Sequence, residues 1–427
     1  MEEADMTNKL LHTPDGVRDI YEEECARKLT VQEKIQKVLH LYGYRSIETP
    51  AFEFFDIFAQ ERGSVSSKEM YKFFDRDNNT LVLRPDMTPA IARCVAKYYM
   101  DEVMPIRLCY LGHTYINHSS YRGRLKESTQ TGVELIGEDS SSSDAEMIAM
   151  VIDSLKASGL LEFQVEIGQV EFFRGLVEEA GMDAETEEQL RVLIENKNHF
   201  GVEELLDTQQ ISAQLKEVFL KLPELFGTID QITAARALTT NVRALHAIDR
   251  LEKIQVILET YGLADYISYD LGMLSEFQYY TGIIFKAYTY GTGDYIVNGG
   301  RYDGLLEQFG KAAPSVGFGI EVDQLMLALS RQKVDVAIDM VNTIVLFEST
   351  AQTPAIKLAS HFRSQNMAVQ LVRKSSHKSL SDYMNFAKRS RIRNVLYLEA
   401  DNGTVKVIEV ATGNTDEIPL TAYVKEV

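Results

Sequence analysis

The chain has 427 residues, 45% of them hydrophobic and 25% charged, with a formal net charge of −19 at pH 7. That length exceeds one ordinary core and predicts two or three domains, and the composition excludes a disordered or fibrous protein. The negative charge opposes a phosphate backbone, so nucleic acid is not the expected partner, and no apolar run reaches the roughly 18 residues of a membrane span.

The N-terminal stretch "MEEADMTNKLLHTPDG" is acidic and lacks the apolar core of a signal peptide. Cys25, Cys94 and Cys109 are odd in number and without metal-ligand spacing, so they read as small buried hydrophobes in a reducing compartment. A cytoplasmic location is the expectation. In "CARKLTVQEKIQKVLHLYGY" the residues Leu29, Ile35, Val38 and Leu39 recur at helical spacing, and Gly43 stops the helix. "RSIETPAFEFF" reads as a strand, with Pro50 at a sheet edge or a dimer seam. Asn78 and Asn79 make a turn before a short strand over Leu81 to Arg84. Thr88 is placed to cap a helix with Pro89 in its first turn.

Strands follow at "PIRLCYLGHTYIN" and "STQTGVELIG", then a helix from Ser143 to Ser158 and a strand "FQVEIGQV". Residues 171–261 read as almost wholly helical, which suggests an insertion into a mixed sheet protein. Strands return from Ile267 to Val297 with a hairpin at "YGTGDY", where Gly291 and Gly293 serve the turn. A helix is expected over Arg301 to Gln308, ending at Gly310, and then a strand "SVGFGIEV". Residues 340–427 alternate strand and helix as a small α/β unit. From Val341 onward the chain holds 11 Lys and Arg against 8 Asp and Glu, and the run Arg373 to Arg393 is markedly basic. A solvated helix face explains that run most simply, with RNA contact as the other reading.

Three patterns point to a ligand. In "ESTQTGVELIG" the strand period puts Gln130, Gly132 and Glu134 on one face, with room over bare backbone between an amide and a carboxylate. "LRPDMT" presents Asp86 and Thr88 at a helix N-terminus, where backbone N–H groups are unpaired. "QYYTG" carries Tyr279 and then Tyr280, with Gly282 alternating beside it, a phenol next to open space. Each pattern is also compatible with an ordinary polar sheet face or core aromatics. His113 and His118 sit on one strand without a third ligand at metal spacing, so no metal site is assigned.

In this order, "TPDGVRDI", "LRPDMTPAIAR", "GRLKESTQTGVELIG", "QYYTGIIFKAY", "NGGRYDGLLEQFG" and "GFGIEVDQL" resemble the successive motifs of histidyl-tRNA synthetase, a class II aminoacyl-tRNA synthetase. The resemblance implies an α+β fold: an antiparallel sheet flanked by helices over 1–170 and 262–333, a helical insertion over 171–261, and a C-terminal α/β domain over 340–427 resembling an anticodon-binding module. It implies a dimer seam at the first motif, near Pro50.

Carried over residue by residue, it also implies what is missing. The arginine of the second motif falls on Ile116 and its glutamate on His118. The aromatic that packs near the adenine falls on Ser128. The third motif, G-x-E-R, reads Glu321, Val322, Asp323 and Gln324. The histidine-specific arginine falls on Ser275. Amino-acid activation builds an anionic transition state at phosphate, and losing one fixed donor costs on the order of a hundredfold in rate. Aminoacylation is therefore expected to be lost, with no catalytic residue, metal or cofactor in this chain.

The amino-acid positions, by contrast, hold Asp86, Thr88, Gln130, Glu134, Tyr279 and Tyr280, a sensible histidine site. The combination resembles the synthetase-like paralogues that act as regulatory subunits of ATP phosphoribosyltransferase in the first step of histidine biosynthesis. It implies a short-form catalytic subunit as partner in a hetero-oligomer, and L-histidine as feedback effector. An active histidyl-tRNA synthetase, or a synthetase-like tRNA-binding protein, is the alternative.

Overall fold

The computed structural model describes residues 11–59, 65–99, 101–118, 125–209, 211–274, 280–338, 341–399 and 403–423. The chain divides into two compact units, Met1–Ala337 and Ile338–Val427.

The first unit opens with helix α1 (Glu22–Leu41), which buries the expected Ile35 and Leu39 together with Val31 and leaves Val38 half-buried, whereas Leu29, expected on the same face, is 59% exposed. Gly43 follows at φ +83°, the left-handed conformation that ends a helix. The expected single strand after it is broken in two, β1 (Arg45–Ser46) and β2 (Phe52–Phe54). Pro50 lies in the break, where a residue without an N–H cannot continue a ladder, and its carbonyl accepts a hydrogen bond from Arg84 at 3.1 Å. β2 joins β3 (Lys72–Phe74) and the central β4 (Thr80–Leu83) in a small antiparallel sheet. Helix α2 (Thr88–Tyr98) then leads to β5 (Ile106–Tyr115) and β6 (Glu127–Ile136).

Helix α3 (Ser141–Ser158) begins two residues before the expected Ser143, because Ser140 is the cap and Ser143 returns its bond in a capping box. After β7 (Gln164–Gln169) come α4 (Val170–Ala180), α5 (Ala184–Glu195), α6 (His199–Asp207), α7 (Ala213–Lys221), a short β8 (Phe226–Gly227), α8 (Ile229–Ala234) and α9 (Val242–Thr260). These helices share one hydrophobic core with the main sheet: Phe172, Leu190, Phe219 and Leu251 belong to the same buried cluster as Val133, Ile167 and Phe285.

The remaining strands of this unit are β9 (Ile267–Asp270), β10 (Ile283–Tyr288), β11 (Val297–Arg301) and β12 (Ser315–Glu321), followed by α10 (Val322–Arg331). In the hairpin, Gly291 takes φ +93° and Gly293 does not occupy the left-handed region. The helix expected from Arg301 is not there. Arg301 closes β11 opposite Val316, its guanidinium drawn 2.7 Å from the fully buried Asp144, and only a 3-10 turn over Leu306–Phe309 precedes Gly310.

The nine strands order as β1-β5-β6-β12-β11-β10-β7-β9-β8. Their pairing is antiparallel except for the parallel pairs β1/β5 and β7/β9. This is the class II synthetase-like arrangement of sheet and helices.

The second unit is a five-stranded sheet of β13 (Thr343–Phe347), β14 (Val369–Arg373), β15 (Asn394–Leu398), β16 (Thr404–Glu409) and β17 (Thr415–Pro419), ordered β14-β13-β15-β16-β17. Helices α11 (Gln352–Ser364) and α12 (Leu380–Arg389) connect its parallel strands. Within the basic run, α12 buries only Ala387 fully, so most of its charge faces solvent. Among the described residues no helix is long and apolar enough to cross a membrane.

Candidate functional site

The site is built by register. β6 pairs with β12 so that Gln130 lies opposite Glu321, Gly132 opposite Gly319, and Glu134 opposite Gly317. A side chain at Gly317 would collide with the Glu134 carboxyl, and one at Gly319 would stand 2.7 Å from the amide carbon of Gln130. The small residues of β12 thus leave space for the polar side chains of β6. On the next strand, Tyr110 pairs with Gly132, and a Cβ there would meet the Tyr110 hydroxyl at 2.7 Å. The result is a cavity of about 300 Å³ over the sheet, lined by Asp86, Thr88, Tyr110, Gln130, Glu134, Tyr280, Tyr302 and Glu321 among others.

Five of the six expected ligand-binding residues meet in this cavity: Asp86, Thr88, Gln130, Glu134 and Tyr280. Tyr279 lies outside the described residues. Thr88 is not the helix cap that its position suggests. It is the first residue of α2, its own N–H donates to the Asp86 carboxylate at 3.1 Å, and its hydroxyl donates to Glu134 at 2.7 Å. The second oxygen of Glu134 accepts from the Tyr302 hydroxyl. Tyr110 donates to the Gln130 carbonyl at 2.9 Å, and the Gln130 amide nitrogen donates to Glu321 at 2.8 Å. These bonds orient Thr88, Gln130, Glu134 and Glu321 before any ligand arrives.

Tyr280 is 5% exposed and packs with Met87, Ile91 and Tyr302 while its ring borders the cavity, so it serves core and pocket together. The glycine that makes room for it is Gly300, where a Cβ would stand 2.7 Å from the ring. Gly282, which sequence alternation pairs with Tyr280, clears Arg301 instead.

Burial dominates the electrostatics. It pushes the Glu134 carboxyl up to about 8, against the bonds from Thr88 and Tyr302, with Asp86 adding to the rise. Glu321 is pushed up to about 7 by burial, helped by Asp323, Asp86 and Asp294 and opposed by the bond from Gln130. Tyr110 and Tyr302 are raised well above the ordinary phenol range by burial and by Glu134, so both are neutral donors at neutral pH. Among the described residues that line the cavity there is no lysine or arginine.

Ile116 and Gln324, which stand at two arginine positions of the synthetase pattern, line the same cavity with Ser128, His118 and Asp323. Ser275 lies outside the described residues. Asp323 is held elsewhere: one oxygen accepts from Lys28 at 2.7 Å and the other from the Thr129 N–H at 2.7 Å. His113 and His118 lie 3.7 Å from Glu127 and Glu69 respectively.

Sequence reasoning missed Tyr110, Tyr302 and Glu321. The signal for Glu321 was present in "GFGIE", where Gly317, Gly319 and Glu321 alternate on one face as Gln130, Gly132 and Glu134 do. Tyr302 lies in the quoted stretch "NGGRYDGLLEQFG", which drew attention to the motif but not to this side chain, and no local signal marks Tyr110.

Comparison with known proteins shows the family and the fold. A family model described as histidyl-tRNA synthetase matches residues 16–325. A protein of Acetivibrio thermocellus named ATP phosphoribosyltransferase regulatory subunit is 39% identical over 415 residues, 97% of this chain and 99% of its own. One of the same name from Ruminiclostridium cellulolyticum is 40% identical over 412 residues, covering 96% and 98%. The crystal structure of an ATP phosphoribosyltransferase regulatory subunit/histidyl-tRNA synthetase from Bacillus halodurans superposes with a TM-score of 0.82 at 32% identity, covering 92% of this chain and 99% of that one. The histidyl-tRNA synthetase of a Nostoc species shares the fold, with a TM-score of 0.80 at 18% identity over 97% of this chain and 98% of its own. With relatives matched over nearly their whole length, the chain belongs to the family of ATP phosphoribosyltransferase regulatory subunits, built on the fold of histidyl-tRNA synthetase.

Proposed function

We propose that this chain performs no catalysis of its own and is the histidine-sensing partner of a short-form ATP phosphoribosyltransferase catalytic subunit. In the complex it permits the first step of histidine biosynthesis, and L-histidine in the cavity feeds back on that step. One observation carries the reading: the cavity keeps the amide, carboxyls and phenols of an amino-acid site while Ile116, Gln324 and a set of carboxyls line it. A triphosphate is polyanionic, and a partly buried acidic cavity repels it strongly. The α-ammonium and imidazole of histidine match the same groups, as donors facing carboxyl and amide oxygens with phenols beside the ring.

Feedback requires histidine to bind one state of the complex more tightly than the other, because a ligand shifts an equilibrium only by its differential affinity. In this reading residues 1–170 and 262–333 form the histidine-binding domain, 171–261 the insertion and 340–427 the anticodon-module-like domain, in a cytoplasmic protein that uses neither nucleic acid nor membrane. Self-association through the first motif has its support in the small sheet, where Phe52, Phe54 and Phe74 are 53%, 55% and 70% exposed beside Pro50.

Titration calorimetry with L-histidine tests the sensor. Saturable heat is expected from the protein or its complex with the catalytic subunit, and no heat at millimolar histidine from either sinks it. A histidine-dependent ATP–pyrophosphate exchange assay tests the loss of synthetase chemistry, and robust exchange would overturn that part.

A further inference from the structure

Glu321 stands at the place where the synthetase pattern has the glycine of its third motif, and a carboxyl there changes the chemistry of that half of the cavity. Its register partner is Gln130, and the amide nitrogen of Gln130 donates to it at 2.8 Å. The oxygen of the same amide is held by Tyr110 at 2.9 Å. Glu321 therefore decides which way Gln130 points: with the nitrogen drawn to the carboxyl, the oxygen is turned to the phenol.

The ionisable groups facing Glu321 are Asp323 from α10, Asp86 from the loop before α2, Asp294 from the β10–β11 hairpin and the neutral phenol of Tyr110 from β5. Lys28, the lysine that reaches Asp323, is engaged by that carboxylate. Glu321 is thus a carboxyl at a cavity wall whose charged neighbours are all negative, and its negative charge has no balancing cation among the described residues lining the cavity.

We propose that Glu321 is a specificity-determining residue of this pocket: it fixes the amide of Gln130 and accepts a cationic group of the ligand at the β12 wall of the cavity. This deepens the reading of the cavity as an amino-acid site and concerns the charge class of the ligand, not its identity as histidine. Burial and the surrounding carboxyls push the Glu321 carboxyl up to about 7 in the empty pocket. A bound cation draws out the carboxylate, so binding expels a proton and affinity rises with pH through about 7.

The test is calorimetric titration of L-histidine and of histamine, which keeps the ammonium and imidazole but lacks the carboxylate. Both are titrated into the full chain and its Glu321→Gln variant between pH 6 and 8. Glutamine keeps the size of the side chain and loses the charge. A probe that binds the wild-type chain is expected to bind Glu321→Gln at least about tenfold more weakly at pH 8, and the variant's affinity is expected to rise less with pH. Any probe that binds both proteins with the same affinity and pH profile overturns the proposal. Silence of both probes toward the wild-type chain overturns it too. Silence of histidine alone toward both the chain and its complex with the catalytic subunit, with histamine bound and sensitive to Glu321, sinks the histidine-sensor reading and leaves this one standing.

Discussion

The hydroxyl of Tyr302 donates to the carboxyl of Glu134 across 168 positions of sequence, and this contact closes the floor of the pocket. Tyr302 follows Arg301 at the end of β11, while Glu134 lies two strands away on β6. Thr88 completes the arrangement from the other side at 2.7 Å. Three separate elements therefore converge on one buried carboxyl.

The protonation of that carboxyl links stability to pH. Glu134 titrates near 8 in the folded, ligand-free chain against 4.5 for an ordinary glutamate. Between those values the folded state holds a proton that the unfolded chain has lost, so stability falls as pH rises toward 8. Glu134→Gln removes that slope. Urea denaturation is expected to give similar midpoints for the two proteins at pH 5, and a variant more stable by on the order of a few kcal/mol at pH 8. A wild-type chain that gains stability over the same interval contradicts the assignment.

Arg301 and Asp144 form the most deeply buried ion pair among the described residues, at 2% and 0% side-chain exposure and 2.7 Å. Ser143 and Asp303 add hydrogen bonds to the same guanidinium, and Arg250 pairs with the other oxygen of Asp144 at 2.6 Å. Arg301→Met leaves the buried Asp144 with Arg250 as its one remaining arginine, and a loss of roughly 2–3 kcal/mol is expected. Chemical denaturation reads it directly; a change below about 1 kcal/mol would show that the network is not structurally important.

Asp323 ties α1 to the sheet through Lys28 and the Thr129 N–H, both at 2.7 Å. Asp323→Ala strands an N–H and an ammonium that are largely out of solvent, and is expected to cost about 1–3 kcal/mol. Thermal melts of Asp323→Ala and Lys28→Met, singly and together, check this. The double variant is expected to lose less than the sum of the two singles.

In the proposed reading, in which this chain has no synthetase activity, arginine at two positions of the synthetase pattern is not expected to introduce it. Ile116→Arg with Gln324→Arg leaves Glu321, Asp323 and Asp86 in the cavity, where the new guanidinium groups pair with carboxyls instead of clamping phosphate. Histidine-dependent pyrophosphate exchange is expected to stay at background in the double variant. Exchange well above background would show that the arginines alone had been lacking.

A methyl group at Gly317 tests the register argument. Its Cβ collides with the Glu134 carboxyl, so Gly317→Ala is expected to displace that group and weaken histidine binding by tenfold or more, measured by calorimetry. Unchanged affinity would mean that Glu134 does not contact the ligand.

Much of this architecture is legible along the chain because it depends on local pattern. Ile35 and Leu39 on the buried face of α1, the turn at Gly43, and the alternation of Gln130, Gly132 and Glu134 need only the periods of helix and strand, although the same spacing put the exposed Leu29 on that face. Other features depend on partners distant in sequence. Arg301 looked helical but ends a strand, because a buried Asp144 on another element takes its guanidinium. Thr88 looked like a cap but donates to Glu134, because α2 begins against β6. Tyr110, Tyr302 and Glu321 enter the pocket through the pairing of β5, β6, β12 and β11, which no window of sequence contains. Residue types and spacing marked which side chains are candidates for a ligand. Only the folded sheet decided which of them share one low-dielectric cavity, and hence which carboxyls keep their protons there, since burial and charge coupling exist only between groups that folding brings together.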